Sequence, residues 1–356
     1  MRVHEWEPAN ASEQELDGWL HILNEVFAHD IPDEPTWGNQ LLREYLYLAA
    51  PGERRIHWLA YAQEPVGDAE PAGWHASGEN ADTVCGTASL LLPADSGTCV
   101  VDVLVPPRFQ RRGIGRALLT TAAWRAHGEG RQTLSAEVVS GTAAVPFYEA
   151  CGFERVVVEV RYLLRLDRVD WSRVRRAVAQ VVSGYRIEYF QGGPPADLLP
   201  AYAEAKSMLR YLTAGEHTVD EATVAAEAKR LSASLDTLHR RGLRPHVVLA
   251  IHNPTGQVAG LTELVVPAQR PARGDEYDTL VLPRHRGYGL ALAMKSRMLL
   301  GLQQTEPQLV DIQTWQNGEY EPQAQVNAEL GYVRDREWYE YETTTSRLIS
   351  RLGAVS

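Results

Sequence analysis

The two halves of this sequence repeat each other. A strand-like run, a glycine pair and an amphipathic helix occur twice, with Gly113-Ile114-Gly115 recurring as Gly287-Tyr288-Gly289, an offset of 287 − 113 = 174 in a chain of 356 residues. A second landmark, Gly152-Phe153, recurs as Gly331-Tyr332, an offset of 331 − 152 = 179. Offsets this similar, and close to half the length, require the elements between the landmarks to match in number and size, as a duplication does. The length agrees, because single hydrophobic cores stop growing near ~250–300 residues. Two domains of one architecture are expected.

Periodicity gives the order of elements. The first half reads as a strand at 3–7 and a helix at 12–28 opened by the capping pattern Ser12-Glu13-Gln14-Glu15. A second helix follows Pro35, and strands come at 56–63, 84–92 and 98–105, separated by turn-rich segments such as 65–80. An amphipathic helix with Ile114, Ala117, Leu118 and Ala122 on one face comes next, then a strand at 133–139, a helix at 143–151 and a strand at 153–166. The second half reads as a strand at 185–190, helices at 196–209 and 219–241, and strands at 245–252, 257–266 and 277–282. It continues with a helix from Gly287, a strand at 309–315, a helix at 321–330 and a last strand from Tyr332 through the alternating run at 338–342. An antiparallel meander followed by strand, helix and strand is an α+β layout with one parallel crossover. The expected division is 1–166, a charged connector helix over 167–184, and 185–356.

Composition narrows the class. With 44% hydrophobic and 23% charged residues, each half has enough apolar side chains for its own core. A formal charge of −11 argues against a phosphate-gripping nucleic-acid binder and ranks cationic partners slightly ahead. Cys85, Cys99 and Cys151 are odd in number and widely spaced, so neither a disulfide framework nor a paired-cysteine metal site is expected, which suits a reducing cytoplasm. The eleven histidines form no His-x-x-x-His pair backed by a carboxylate, so no metal is expected. No signal-like or membrane-spanning apolar run is present. A monomer or a homodimer is compatible with all of this.

The densest chemical signal is 101–119, VDVLVPPRFQRRGIGRALL. A strand ends at Val105, a proline-containing loop follows, and Gln110 to Gly115 open a helix. Helix starts offer unpaired N–H groups and partial positive charge, and glycines let those groups approach an anion, so this segment can cradle a pyrophosphate. The alternative is a tight strand-to-helix turn that binds nothing. A nucleoside triphosphatase loop is not supported, since no Lys-Ser/Thr follows the glycines, nor is a dinucleotide fingerprint, since position 118 is Leu and several antiparallel-type strands come first.

With Gln110, Gly113 and Gly115 in place, the segment resembles the Gln/Arg-x-x-Gly-x-Gly/Ala signature of the GNAT acetyltransferase superfamily. The valine-rich strand before Pro106 and the downstream AVPFYEACGF at 144–153 extend the resemblance, which is close over 84–166. It implies two tandem GNAT folds, each a mixed, mostly antiparallel sheet flanked by helices. It further implies that backbone N–H groups of Arg111, Arg112, Gly113, Ile114, Gly115 and Arg116 hold the CoA pyrophosphate, with the three arginine side chains adding charge. The pantetheine arm is expected beside the strand ending near Val105, in a gap opened against the strand at 133–139, with N–H groups near Val103 to Val105 polarising the thioester carbonyl. Tyr148 falls where many members place the general acid that protonates the leaving thiolate. Its other reading is a packed tyrosine supporting Phe147 and Phe153. The Asn that members often carry seven residues earlier is Gly141 here. For the base that takes the amine proton, topology offers Asp102 and Glu137.

The second half repeats the signature as Arg284-His285-Arg286-Gly287-Tyr288-Gly289, and Thr279, Val281, the His-Arg-Gly triplet and Lys295 resemble the C-terminal halves of tandem, mycothiol synthase-like GNAT proteins. Six residues separate the strand valine from the first glycine (281 to 287), against eight in the first half (105 to 113), which predicts a different loop geometry. Asn327 stands at the place of Tyr148, and Glu263 is a possible base. The expected function is transfer of an acetyl group from acetyl-CoA to a primary amine of a small-molecule acceptor, catalysed in the first half. The alternatives are catalysis in the second half, which is the active one in mycothiol synthase, and a non-catalytic acyl-CoA-binding platform.

Overall fold

Twelve strands and ten helices stand among the described residues, in nearly the order that periodicity predicts. The computed structural model describes residues 1–47, 52–62, 83–94, 96–214, 221–317 and 321–353, with the side chains at 209–214, 221–227, 317 and 321–323 left out. In chain order the elements are β1 (Arg2–Trp6), α1 (Glu13–Asp30), α2 (Asn39–Tyr47), β2 (Glu53–Ala62), β3 (Thr83–Pro93), β4 (Thr98–Leu104), α3 (Ile114–Gly128), β5 (Thr133–Val139), α4 (Ala144–Cys151) and β6 (Glu154–Arg165). They continue with α5 (Trp171–Ala179), β7 (Tyr185–Gln191), α6 (Leu199–Ala214), α7 (Glu221–Arg240), β8 (Leu243–His252), β9 (Val258–Pro267), β10 (Arg273–Val281), α8 (Leu290–Thr305), β11 (Asp311–Asn317), α9 (Glu321–Leu330), β12 (Val333–Thr344) and α10 (Thr345–Gly353). The Ser12 hydroxyl accepts from Glu15 N at 3.2 Å and the Glu15 carboxylate accepts from Ser12 N at 2.9 Å, so the expected cap starts α1. The terminal helix α10 was not expected, and β10 begins earlier than the sequence predicts because its first residues are polar. The turn-rich segment at 65–80 lies outside the described residues.

The chain divides into two compact units, Met1–Val158 with Glu337–Ser356, and Glu159–Arg336. In the first, β1, β2, β3 and β4 pair antiparallel in sequence order, β4 pairs parallel with β5, and β5 pairs antiparallel with residues 338–344 of β12. In the second, β7 to β10 repeat the meander, β10 pairs parallel with β11, and β11 pairs antiparallel with residues 159–165 of β6. The units therefore exchange their last strands, and their borders fall inside β6 and β12 rather than at 166 and 185. Each exchanged strand is fastened inside its host. In the first unit the Tyr341 hydroxyl donates to Glu149 Oε1 at 2.9 Å and the Thr345 hydroxyl to Arg131 O at 2.9 Å. In the second, Arg161, 1% exposed, holds Asp335 at 2.6 Å and donates to Gln313 Oε1 at 3.3 Å. Without these strands, β5 and β11 would each end their sheet on an open edge.

Each sheet buries both faces. Val101, Leu118, Leu119, Leu134 and Tyr341 fill the first unit's layer under α3, and Trp19, Ile22, Leu42, Leu59 and Leu104 fill the layer under α1 and α2. Val248, Met294, Leu299 and Ile312 fill the second unit's layer under α8, and Tyr202, Leu231, Val247 and Leu261 the layer on the α6 and α7 side.

Candidate active site

The loop between β4 and α3 is built to leave donors free. After Val105 and Pro106, the buried Phe109 closes a short 3-10 turn, and Gln110 Nε2 donates to Val105 O at 3.0 Å, pinning the loop to the strand end. Arg111 (φ 60) and Gly113 (φ 81) then reverse the chain in the left-handed region. An arginine held there costs about 1–3 kcal/mol, strain of the kind that collects at binding loops. Among the described residues, the N–H groups of residues 111 to 116 find no backbone acceptor, and the first donation into the helix is Ala117 N to Gly113 O at 3.0 Å. Gly115 lies under the Phe147 ring, where a Cβ would stand 3.4 Å away. A row of orphan donors at a helix N-terminus is an anion cradle. Arg111 and Arg112 are exposed beside it. Arg116 is turned elsewhere, donating to Leu352 O at 2.9 Å and Arg351 O at 3.3 Å at the end of α10, so its charge is spent on that helix end.

The loop between β10 and α8 has the same length and path, contrary to the expectation from the glycine spacing. Its 3-10 turn is Pro283–His285, Arg286 Nε donates to Val281 O at 3.2 Å as Gln110 does to Val105, and Gly287 (φ 84) and Gly289 (φ 71) occupy the places of Arg111 and Gly113. The two loops thus correspond at an offset of 176, and the signature in the second half is Arg286-Gly287-Tyr288-Gly289-Leu290-Ala291. Arg284 and His285 belong to the turn before it, with the Tyr185 hydroxyl 2.9 Å from His285 Nδ1. The orphan donors here run from Gly287 to Leu292 among the described residues, with Ala293 N donating to Gly289 O at 3.1 Å.

The expected gap beside β4 is present. The pairing of β4 with β5 stops at Val100 with Ser135, whereas its pairing with β3 runs on to Leu104. Residues 101–104 and 136–139 therefore diverge. Tyr148 comes from the α3 side of the sheet, 3% exposed and wedged edge-on between Phe147 and Phe153. Its hydroxyl has no hydrogen-bond partner among the described residues, and the charge of Asp102 reaches it. Burial first, then Asp102, pushes the phenol well above its usual range, so it keeps its proton at any working pH. Asp102, on the opposite face of β4, and Glu137, on β5, are both exposed, with protein crowding around their carboxyls. Desolvation raises both carboxyls; nearby Arg55 opposes the rise at Asp102, and Glu340 and Asp102 add to it at Glu137. Gly141 (φ 78) turns the chain after β5.

The matching region of the second unit is filled by the chain itself. Glu276, Lys295 and Tyr332 occupy places held in the first unit by the apolar Val101, Leu119 and Phe153. Lys295 Nζ lies 2.6 Å from Glu276 Oε1 and 2.7 Å from Asn327 Oδ1, and the Tyr332 hydroxyl donates to Glu276 Oε2 at 2.5 Å. Asn327 is the counterpart of Tyr148, since Tyr332 N donates to Asn327 O at 3.0 Å as Phe153 N does to Tyr148 O at 3.1 Å. An irregularity between Glu276 and Thr279, absent from the β3–β4 pairing, accounts for the extra residue in β10. On the other face Glu263 accepts from Lys206 Nζ at 2.6 and 2.7 Å and from the Tyr202 hydroxyl, and Asp278 lies 3.8 Å from the same lysine. Glu263 is therefore neutralised internally and is no free base. The Lys206 and Glu276 pairs escaped the sequence reading, because lone charges at helical and strand spacing carry no sign of what they meet.

Residues 71–155 match the family model of the acetyltransferase (GNAT) domain. Among solved structures the fold is similar to that of a tandem GNAT protein from the clavulanic acid biosynthesis pathway, with TM-score 0.78, 24% identity and coverage of 97% of this chain and 98% of that one. It is also similar to a GCN5-related N-acetyltransferase from Sphaerobacter thermophilus, with TM-score 0.63, 16% identity and coverage of 97% and 95%. A GCN5-related glucosamine N-acetyltransferase region of a fungal multi-domain β-N-acetylglucosaminidase gives TM-score 0.65 and 11% identity, covering 96% of this chain and 38% of that one. No curated protein matches the sequence. No helix among the described residues is long and apolar enough to cross a membrane.

Proposed function

We propose that this chain, which carries a GNAT acetyltransferase domain in its first half and a tandem GNAT fold over its length, is an acetyl-CoA-dependent N-acetyltransferase that works through its first unit on a primary amine of a small molecule. The observation that carries the choice of unit is Tyr148: a buried phenol with no hydrogen-bond partner among the described residues, within reach of the Asp102 charge at the mouth of the β4–β5 gap. Its counterpart Asn327 is bonded to a buried lysine.

The donor substrate supplies a thioester activated for attack by an amine. The N–H groups of 111–116 and the exposed Arg111 and Arg112 suit its pyrophosphate. The stretch around Val103 and Val105, which β5 does not pair, offers main-chain donors toward the carbonyl oxygen, where charge develops. Asp102 accepts the proton that the ammonium form of the acceptor must lose, a task its raised carboxyl suits better than an ordinary aspartate. Tyr148 gives its proton to the departing sulfur. The second cradle, Gly287 to Leu292, keeps the donors for the same anion, but its neighbouring carboxylates are held by Lys206 and Lys295.

The test is Tyr148→Phe. Calorimetric titration is expected to give acetyl-CoA affinity within about twofold of wild type, while thiol release with a panel of primary amines falls by about 100-fold or more. Undiminished thiol release removes Tyr148 from the chemistry and, with it, the reason for choosing the first unit.

A further inference from the structure

On the face of the first unit's sheet opposite α3, three strands carry carboxylates side by side: Asp102 on β4, Glu137 on β5 and Glu340 on β12. Glu137 and Glu340 are direct cross-strand partners. Glu342, opposite Ser135, continues the row on the same face. Like charges placed opposite each other destabilise a sheet, and a fold accepts that cost where the charges serve something else. Among the described residues neither Glu137 nor Glu340 makes an ion pair or a hydrogen bond; desolvation and the charges of Glu340 and Asp102 all press on Glu137. The contrast lies in the second unit, where on the equivalent face Lys206 answers Glu263 and lies 3.8 Å from Asp278, the counterpart of Asp102. In the first unit the charge of Arg55 reaches Asp102, and among the described residues no cation pairs with Glu137 or Glu340.

A second observation fixes the direction of the row. Tyr148, 3% exposed and without a hydrogen-bond partner among the described residues, meets the field of Asp102 across the β4–β5 gap. One end of the row is thus the reacting end, and the Glu137–Glu340 pair lies one to two strand spacings away, on the order of 5–10 Å. We propose that the acceptor carries at least two amino groups, the reacting one beside Asp102 and Tyr148 and a second, as ammonium, held between Glu137 and Glu340. This rests on the first unit being the acyltransferase. In the transfer the neutral amine nitrogen forms a bond to the thioester carbonyl carbon and the carbon–sulfur bond breaks. Asp102, having passed the ammonium proton to solvent, takes the remaining amine proton and releases it to solvent in turn, while Tyr148 protonates the leaving sulfur and regains its proton from solvent. Amine and thioester become amide and thiol. The second amino group stays charged throughout, anchoring the molecule and setting which nitrogen reacts.

The experiment is a calorimetric titration of the CoA-saturated full chain with putrescine and with n-butylamine, for wild type and Glu340→Gln. Wild type is expected to bind putrescine about tenfold more tightly than n-butylamine, and the variant to bring that preference down to about twofold. Glu340→Gln removes a repulsion, so its melting temperature should not fall, and a lost preference is then not a folding defect. Equal affinity for the two amines, no binding of either, or a preference untouched in the variant overturns the proposal. Thiol release from acetyl-CoA in the same samples judges the transferase reading separately. Preferential diamine binding without thiol release sinks that reading and leaves the diamine site standing, whereas thiol release without preference does the reverse.

Discussion

Asp102, the proposed base, has a carboxyl held above the ordinary aspartate range by burial. Its carboxyl is raised by the surrounding protein, so the ionised form is present above the raised value and is lost as pH falls through it. Wild-type kcat/KM is therefore expected to decline on the acid side at a pH above the ordinary aspartate value of 3.8, and Asp102→Asn to lower turnover and flatten that limb. A pH profile of both proteins checks this; an unchanged acid limb in the variant would move the base elsewhere. The phenol of Tyr148, pushed upward, contributes no alkaline limb below its usual range. At this scale the sequence was informative where a motif spans few residues: Tyr148 stands four residues before Gly152 and could be placed by eye. Arg116 could not, since what it binds lies at Arg351 and Leu352, at the far end of the chain.

The two cradles show how an element can be recognised and still misaligned. Matching glycine to glycine put Gly287 against Gly113, yet backbone conformation, not residue identity, is what the loop repeats, and Arg111 adopts the φ that Gly287 adopts. Only the bonds of Gln110 and Arg286 to their strand ends fix the register. The buried charges of α8 and β10 were equally hidden, for Lys295 sits on an otherwise apolar helix face and its partner Glu276 on a strand nineteen positions earlier. Removing one member of such a pair leaves a bare buried charge, so Lys295→Met is expected to destabilise the second unit by about 3–5 kcal/mol. Denaturant unfolding checks it; a loss below about 1 kcal/mol would mean that Glu276 finds another cation or sheds its charge without strain.

For the whole molecule, the duplication, the α+β class and the order of strands were legible, because each follows from local periodicity. The exchange of β6 and β12 was not, since a strand's pattern states which face is apolar but not which sheet it completes. The exchange predicts that residues 1–166 produced alone leave the outer edge of β5 open and associate or remain loosely folded, and that a peptide covering 337–353 added in trans restores a monomer. Size-exclusion chromatography with far-ultraviolet circular dichroism decides this, and a native-like monomer from 1–166 without the peptide would contradict it. The central claim is that acyl transfer belongs to the first unit. The most direct measurement compares thiol release from acetyl-CoA by Gly113→Val and Gly289→Val, two substitutions that impose the same left-handed strain on equivalent turns. The account predicts that the loss at Gly113 exceeds the loss at Gly289 by about 100-fold; equal losses, or a larger one at Gly289, would contradict it.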